Sequence, residues 1–381
     1  MSTRDNEPIA SQWGQPADQP APTVSFDKTF INKSAFGTAD TVQPPQGRVQ
    51  IRLSEELLRK NYHPVMIFGT RASGKSSLLA SLFYYLQTDL GSPAIPVLGE
   101  WIVPIDTPYG QSVAEAASQF FTHVLSNFHD GEAAPSTRNE YPFYIPIILR
   151  PNNGQPEIRL AFLESRGEWY HIDKNSKDLF PQLREEVADV YQNFTKGISI
   201  LLIAPYVIGD AYPQDELSED WKKNEMRISD SSLFGALQSY QTHRQNRELD
   251  KYLFILTKWD AHTRSLIDRD FSNPPHGMVS YFISERYPRS WTLFQTMQSG
   301  AAQSMQYSAG VMSGNARADT PMHLLPIMNQ FPKMLWSWLY SNATNGQDLF
   351  LNSRSKKHGP EKNQQGSKLA RILRRLQEVL L

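Results

Sequence analysis

Residues Val65–Leu86 read VMIFGTRASGKSSLLASLFYYL, and the rest of the chain is organised around them. A short apolar run, Val65–Phe68, leads into Gly69-Thr70-Arg71-Ala72-Ser73-Gly74-Lys75-Ser76, and a helical pattern follows. That is G-x-x-x-x-G-K-S between a strand and a helix, the context a phosphate-binding loop requires. Gly69 and Gly74 allow backbone angles and close approach that a side chain would forbid. The N–H groups of Arg71, Ala72, Ser73, Gly74, Lys75, Ser76 and Ser77 then converge at the positive end of the following helix, where a triphosphate can sit. Lys75 is expected to reach the β- and γ-phosphates as the catalytic cation, and the Ser76 hydroxyl to ligate Mg²⁺. The stretch predicts binding of a nucleoside triphosphate.

After the loop, Leu78, Leu79, Leu82, Phe83 and Leu86 recur at helical spacing and mark one buried face, and Gly91-Ser92-Pro93 ends that helix. Before it, Leu53-Ser54-Glu55-Glu56-Leu57-Leu58 reads as a short helix capped by Ser54. Residues 94 to about 141 are irregular apart from a helix over Ser112–Phe128. Phe143–Leu149 and Ile158–Leu163 flank the turn-forming Pro151-Asn152-Asn153-Gly154-Gln155 and predict an antiparallel hairpin. Ile198–Ala204 and Tyr252–Leu256 are short continuous apolar runs, as strands buried on both faces are. Met305–Val311 is the last strand candidate, and residues 330–342 form a closing helix with bulky core contacts. This order predicts an α/β fold of the P-loop nucleotide-binding class, a mostly parallel sheet with helices on both faces. The expected organisation is a disordered tail over 1–48, one nucleotide-binding domain with insertions over 49–345, a basic linker over 346–367 and an amphipathic helix over 368–381. Within the tail, Val24–Ile31 alternates enough to dock as an added strand or a short partner-binding motif.

Composition narrows the partners. Formal net charge is −1, which gives no reason to expect nucleic acid. There are no cysteines, so disulfides and thiolate zinc sites are excluded, and a reducing compartment fits. No signal pattern is visible at the N-terminus, and no apolar run reaches the roughly 18 residues a membrane span needs. The expectation is a soluble, cytoplasmic protein.

Three further stretches occur in order downstream: Leu163-Glu164-Ser165-Arg166-Gly167-Glu168, Thr257-Lys258-Trp259-Asp260 and Tyr307-Ser308-Ala309-Gly310. Together with the phosphate loop they resemble the Ras-like, translation-factor-related clade of P-loop GTPases, over roughly residues 60–345. The Gly167-Glu168 pair, and Pro135-Ser136-Thr137 before an alternating strand, resemble bacterial double-GTPase and conflict-system GTPases. The resemblance implies GTP or GDP with Mg²⁺ as ligands. Glu164 then stands where the family has an Asp that meets Mg²⁺ through water, and the Gly167 N–H would touch the γ-phosphate. T-K-x-D resembles the guanine-specificity motif. An Asp260 carboxylate can accept both the N1–H and the 2-amino group of guanine, which adenine does not offer, while Lys258 packs over the base and Thr257 opens the motif. Ser308-Ala309 resembles the S-A motif whose backbone N–H reads the guanine O6.

The first switch falls at Ala134-Pro135-Ser136-Thr137-Arg138, where Thr137, or Ser136 in its place, would supply a hydroxyl to Mg²⁺ and a carbonyl toward the attacking water. Glu168 stands where Ras-like proteins carry a water-orienting Gln. A carboxylate beside the γ-phosphate adds negative charge, so the expected hydrolysis is slow and stimulated by a partner, with Arg71 and Arg166 as candidate internal charge stabilisers. The expected protein is a switch whose two mobile segments recruit or regulate a partner protein. An ATPase of the same loop class, and a scaffold that binds nucleotide without hydrolysing it, are the rival readings. At the C-terminus Leu369, Ile372, Leu373, Leu376 and Leu380 share one helical face, with Lys368, Arg371, Arg374 and Arg375 on the rest. That helix docks on its own domain, on a partner, or on an anionic membrane surface, the last being the weakest option for so short a helix.

Overall fold

Apolar residues dominate His63–Gly69, which forms β1 at the centre of a seven-stranded sheet ordered β2-β3-β4-β1-β5-β6-β7. The computed structural model describes residues 52–70, 72–88, 92–102, 108–131, 143–164, 185–207, 218–261, 277–298, 302–313, 323–326 and 330–350. The expected N-terminal tail, both switch segments and the C-terminal amphipathic helix lie outside these residues. In chain order the helices are α1 (Leu53–Arg59), α2 (Lys75–Thr88), α3 (Pro108–Gln119), α4 (Ser126–His129), α5 (Glu185–Asn193), α6 (Glu219–His243), α7 (Met278–Arg286), α8 (Pro288–Met297) and α9 (Gln330–Ala343). The remaining sheet strands are β2 (Ala94–Leu98), β3 (Phe143–Pro151), β4 (Ile158–Glu164), β5 (Ser199–Pro205), β6 (Lys251–Thr257) and β7 (Ser304–Gln306). A separate ribbon pairs β8 (Gly310–Ser313) with β9 (His323–Pro326).

β4, β1, β5, β6 and β7 run parallel, and β2 and β3 are antiparallel additions at one edge. Every residue of β5 is buried, as a strand with helices on both faces must be. Register assigns the faces. Phe68, Leu202 and Phe254 are level across three strands. They meet Tyr191 of α5, and Trp291 and Phe294 of α8. On the opposite face Phe162 of β4 meets Phe83 of α2 and Trp336 of α9, and the Trp336 indole donates to the Leu82 carbonyl at 2.8 Å. The chain leaves β1 for strands on one side and later returns to β5 on the other. That switch point opens a crevice at the carboxyl ends of the strands.

Five expectations are corrected. Ser54 does not cap α1: Arg52 holds the cap position without a side-chain bond, and Ser54 is buried inside the first turn. The Asp189 carboxylate of α5 accepts its N–H at 2.7 Å and its hydroxyl at 3.0 Å, so a remote acid does the capping. The stretch read as irregular contains β2, obscured by Pro93 and Pro96. Asn152 N–H donates to the Pro93 carbonyl and Gly99 N–H to the Pro146 carbonyl. This phase turns the Pro96 nitrogen to the open edge, where a missing donor is tolerated. The last strand is cut short: β7 ends at Gln306, and Gly310 onward pairs with β9 instead. Finally, residues 346–350, assigned to the linker by composition, turn back onto the domain. Leu349 is fully buried and its carbonyl accepts from Asn153. The helix expected over Ser112–Phe128 is a longer run, α3 and α4 spliced by one π-helical turn at Phe120–Leu125.

Candidate functional site

The strand ends carry the chemistry. β1 closes at Gly69 and α2 opens at Lys75, so the intervening residues turn at the carboxyl edge of the sheet. A Cβ on Gly69 would lie 2.6 Å from Ser73 Oγ and 2.9 Å from the Ile203 carbonyl oxygen, both closer than such contacts occur. Gly74 sits at φ +88°, in the left-handed region, and Ala72 shares that handedness at φ 56°. The loop is therefore wound so tightly that its two glycines are required. Lys75 is 6% exposed and its ammonium folds back on the loop, donating to the Gly69 and Thr70 carbonyls at 3.0 Å each. The first turn of α2 contains no acidic residue, so its dipole and the lysine leave a positive rim. Among the described residues the buried hydroxyls of Thr70 and Ser73 have no hydrogen-bond partner. A tight glycine turn, a folded lysine and two orphaned hydroxyls at a helix N-terminus fit a phosphate group. Ser76 and Ser77 follow, both half-buried. Arg71 lies outside the described residues.

Far along the chain, the T-K-x-D stretch arrives at the same edge. Thr257, the last residue of β6, donates from its hydroxyl to the Ser73 carbonyl at 2.6 Å, with the Ala204 carbonyl at 3.2 Å. Its side chain also packs 3.7 Å from where a Cβ on Gly74 would stand. Lys258 then takes a left-handed conformation at φ 55°, turning the chain sharply. Trp259 goes inward and Asp260 is 6% exposed. Ser308 meets Asp260 twice: its hydroxyl accepts the Asp260 N–H at 2.8 Å and donates to Asp260 Oδ1 at 3.0 Å. One carboxylate oxygen is thus held by a side chain that the sequence placed in a different motif. Ala309, half-buried, follows directly. The structure brings Gly69, Ser73, Gly74, Lys75, Thr257, Asp260 and Ser308 into one linked group.

Sequence reasoning quoted Tyr307 within its motif but assigned it no role. Its hydroxyl is buried on α2, 2.5 Å from Ser81 Oγ and 3.4 Å from the Leu78 carbonyl. Its main chain brackets the end of β6: its N–H donates to the Leu256 carbonyl, and its carbonyl accepts from Trp259 N–H. Burial pushes the Tyr307 pKa up, further from neutral pH. A tyrosine directly before the S-A pair was the available signal.

The acidic motif is only partly placed. β1 and β4 pair in parallel with Met66 level with Leu163, so the backbone of Glu164, the final residue of β4, ends beside the phosphate loop. The Glu164 side chain, Ser165, Arg166, Gly167, Glu168, Ser136 and Thr137 lie outside the described residues. Of the residues expected to hold Mg²⁺, the described side chain is that of Ser76, whose hydroxyl is an oxygen donor of the kind this hard cation takes. No helix among the described residues is long and apolar enough to cross a membrane.

No family model matches the chain, and no curated protein matches it. Among solved structures it is similar to the S. cerevisiae Ski7 GTPase-like domain bound to GDP and inorganic phosphate, with 14% identity and a TM-score of 0.32, covering 74% of this chain and 50% of that one. The GTP-bound form of that domain matches with 13% identity and a TM-score of 0.31, over 75% and 51% of the two chains. The signal recognition particle receptor SRb-GTP/SRX complex from Chaetomium thermophilum matches with 12% identity and a TM-score of 0.35, over 73% and 97%. The chain spans about half the length of the Ski7 structures. Strand order and pairing make the molecule a mixed α/β protein with a mostly parallel seven-stranded sheet, a tight glycine turn lying between its central strand and α2.

Proposed function

We propose that this chain binds GTP with Mg²⁺ and acts as a slowly hydrolysing, partner-stimulated switch. The observation that carries the reading is the clamp of Ser308 on Asp260, in a turn tied by Thr257 to the phosphate loop. A nearly buried carboxylate held in this way is suited to accept the paired N1–H and 2-amino donors of guanine. Adenine offers neither, so unmatched polar groups would penalise it. Lys75 exchanges its loop carbonyls for the β- and γ-phosphates, and the loop N–H groups cradle them. Mg²⁺, held by the Ser76 hydroxyl, by Thr137 or Ser136 and through water by Glu164, would supply positive charge against the charge that develops on the phosphates. Thr137 or Ser136 and the Glu164–Glu168 stretch carry the switch role, ordering on the triphosphate and presenting a surface to a protein partner. Glu168 orients the attacking water, and its charge beside the γ-phosphate keeps turnover slow until a partner supplies a cation. The resemblance to bacterial double-GTPases rests on Pro135–Thr137, Gly167 and Glu168 alone.

The test is binding of fluorescent GTP and ATP analogues with Mg²⁺, for the native chain and Asp260→Asn. The expected result is a strong GTP preference that Asp260→Asn shifts toward xanthosine triphosphate. Equal binding of ATP, or indifference to the substitution, leaves the ATPase reading in its place. Multiple-turnover phosphate release then separates a switch from a non-hydrolysing scaffold, which gives none.

A further inference from the structure

The chain leaving β5 is held from two sides, and one of them is the purine-reading turn. On that side the Tyr206 N–H donates to the Thr257 carbonyl at 2.8 Å, and the Tyr206 ring meets Trp259 edge-on at 5.6 Å. Trp259 lies between Lys258 and Asp260 and is 2% exposed, so its position sets the course of the turn. On the other side stands the end of α7. The Arg286 guanidinium lies over the Tyr206 ring, 3.8 Å from its centre, and donates to the Tyr206 carbonyl. The next residue, Tyr287, donates its hydroxyl to the Pro205 carbonyl at 2.6 Å. Phe282 closes the group, edge-on to both Tyr206 and Trp259 at 5.4 and 6.0 Å. A stacked guanidinium that also bonds the main chain under it fixes the ring in position and rotation, which a lysine ammonium does not.

We propose that Arg286 is a positioning residue for purine selection: by fixing the Tyr206 ring it seats Trp259 and thereby holds the Asp260 carboxylate where the base is read. The inference rests on the guanine reading of Asp260 and extends it to a helix that meets the turn through an aromatic cluster. Arg286 acts through Tyr206 and Trp259, so its removal changes which base is preferred and not only how tightly nucleotide is held. Inosine triphosphate keeps the N1–H of guanine and lacks the 2-amino group, which makes it the discriminating ligand. A displaced carboxylate loses two bonds to GTP and one to ITP.

The experiment measures Kd for GTP, ITP and ATP with Mg²⁺ on the full chain as native protein, Arg286→Ala, Arg286→Lys and Tyr206→Leu, with the melting temperature of each. The expected result is that the GTP:ITP affinity ratio falls about tenfold in Arg286→Ala and in Tyr206→Leu. Arg286→Lys, which keeps a donor to the carbonyl but not the flat stack, recovers part of the ratio. Tyr206→Leu preserves the main-chain bonds and carries the test should Arg286→Ala not fold. A native protein that prefers GTP over ATP, with a GTP:ITP ratio unchanged in the folded variants even at lower melting temperature, overturns the inference alone. A native protein that binds GTP and ATP alike overturns the guanine reading and this inference with it.

Discussion

The two ends of the parallel strands handle charge in opposite ways. At the amino end Arg244 and Asp250 form an ion pair with both side chains fully buried, the guanidinium meeting the two carboxylate oxygens at 2.9 Å each. The other hydrogen bonds of the two side chains are made within the chain as well. Arg244 also donates to the Phe194 carbonyl and, at 2.6 Å, to the Lys196 carbonyl, while Asp250 accepts from Ile198 N–H and the Tyr240 hydroxyl. At the carboxyl end the buried Lys75 folds onto carbonyls of its own loop, and the hydroxyls of Thr70 and Ser73 have no partner among the described residues. The first arrangement locks the return from α6 into β6 to the loop before β5. The second, on the function proposed above, holds polar capacity for a phosphate. Substitutions at the amino end should therefore read out as stability, and those at the carboxyl end as binding.

The largest effect should come from breaking the pair. Arg244→Ala or Asp250→Ala leaves an uncompensated charge and is expected to cost about 3–5 kcal/mol in urea unfolding, while replacing both residues with apolar ones recovers much of that. If either single variant lost under 1 kcal/mol, the amino end would not be the rigid one. His63, also at the amino end, meets Ser199 Oγ at 2.9 Å. The residue keeps some surface exposure, yet the enclosure of its ring lowers the pKa to about 4. The unfolded ring takes a proton below about 6.5 and the folded ring only near 4, so acid favours unfolding. Stability is complete above pH 6.5 and should fall by up to about 3 kcal/mol as pH drops to 4. His63→Gln should flatten that part of the pH–stability curve; an unchanged curve would assign the acid sensitivity elsewhere.

At the carboxyl end the sign of the comparison reverses. Lys75→Ala should weaken GTP binding at least about a hundredfold, equivalent to roughly 2.7 kcal/mol, and change nucleotide-free stability by no more than about 1 kcal/mol. Titration with a fluorescent analogue and a melt without nucleotide check both halves, and unchanged affinity would remove the phosphate-loop assignment. The smallest effect belongs to the remote cap. Asp189→Ala frees the first turn of α1 and should cost about 1 kcal/mol, seen as a lower urea midpoint with nucleotide affinity untouched.

Much of this was legible because it is local. A strand running into G-x-x-x-x-G-K-S and then a helix is dictated within some twenty neighbouring residues by steric freedom at glycine and by apolar periodicity. The β3–β4 hairpin, β5, β6 and α9 followed from the same kind of pattern. The errors were at places where a remote group outweighs a local signal. Ser54 looked like a cap until Asp189, 135 residues away, took the role. The stretch through Pro96 read as irregular, and only the phase of pairing with β3 shows a strand there with the Pro96 nitrogen on the open edge. Met305–Val311 read as one strand, but Tyr307 is drawn off by its bonds to α2 and to the end of β6.

The sequence by itself determined that this chain carries a tight glycine turn between a strand and a helix within a mostly parallel α/β sheet, since turn geometry and burial pattern are properties of contiguous residues. Only the tertiary structure decided what those motifs do to one another. The bond from Thr257 to Ser73 spans 184 positions and that from Ser308 to Asp260 spans 48, and neither partner signals the other in its own neighbourhood. Arg286 carries no motif at all. Its role arises because parallel strands deliver distant segments to one edge, where hydrogen bonds and ring contacts form between residues whose spacing along the chain has no bearing on their spacing in the fold.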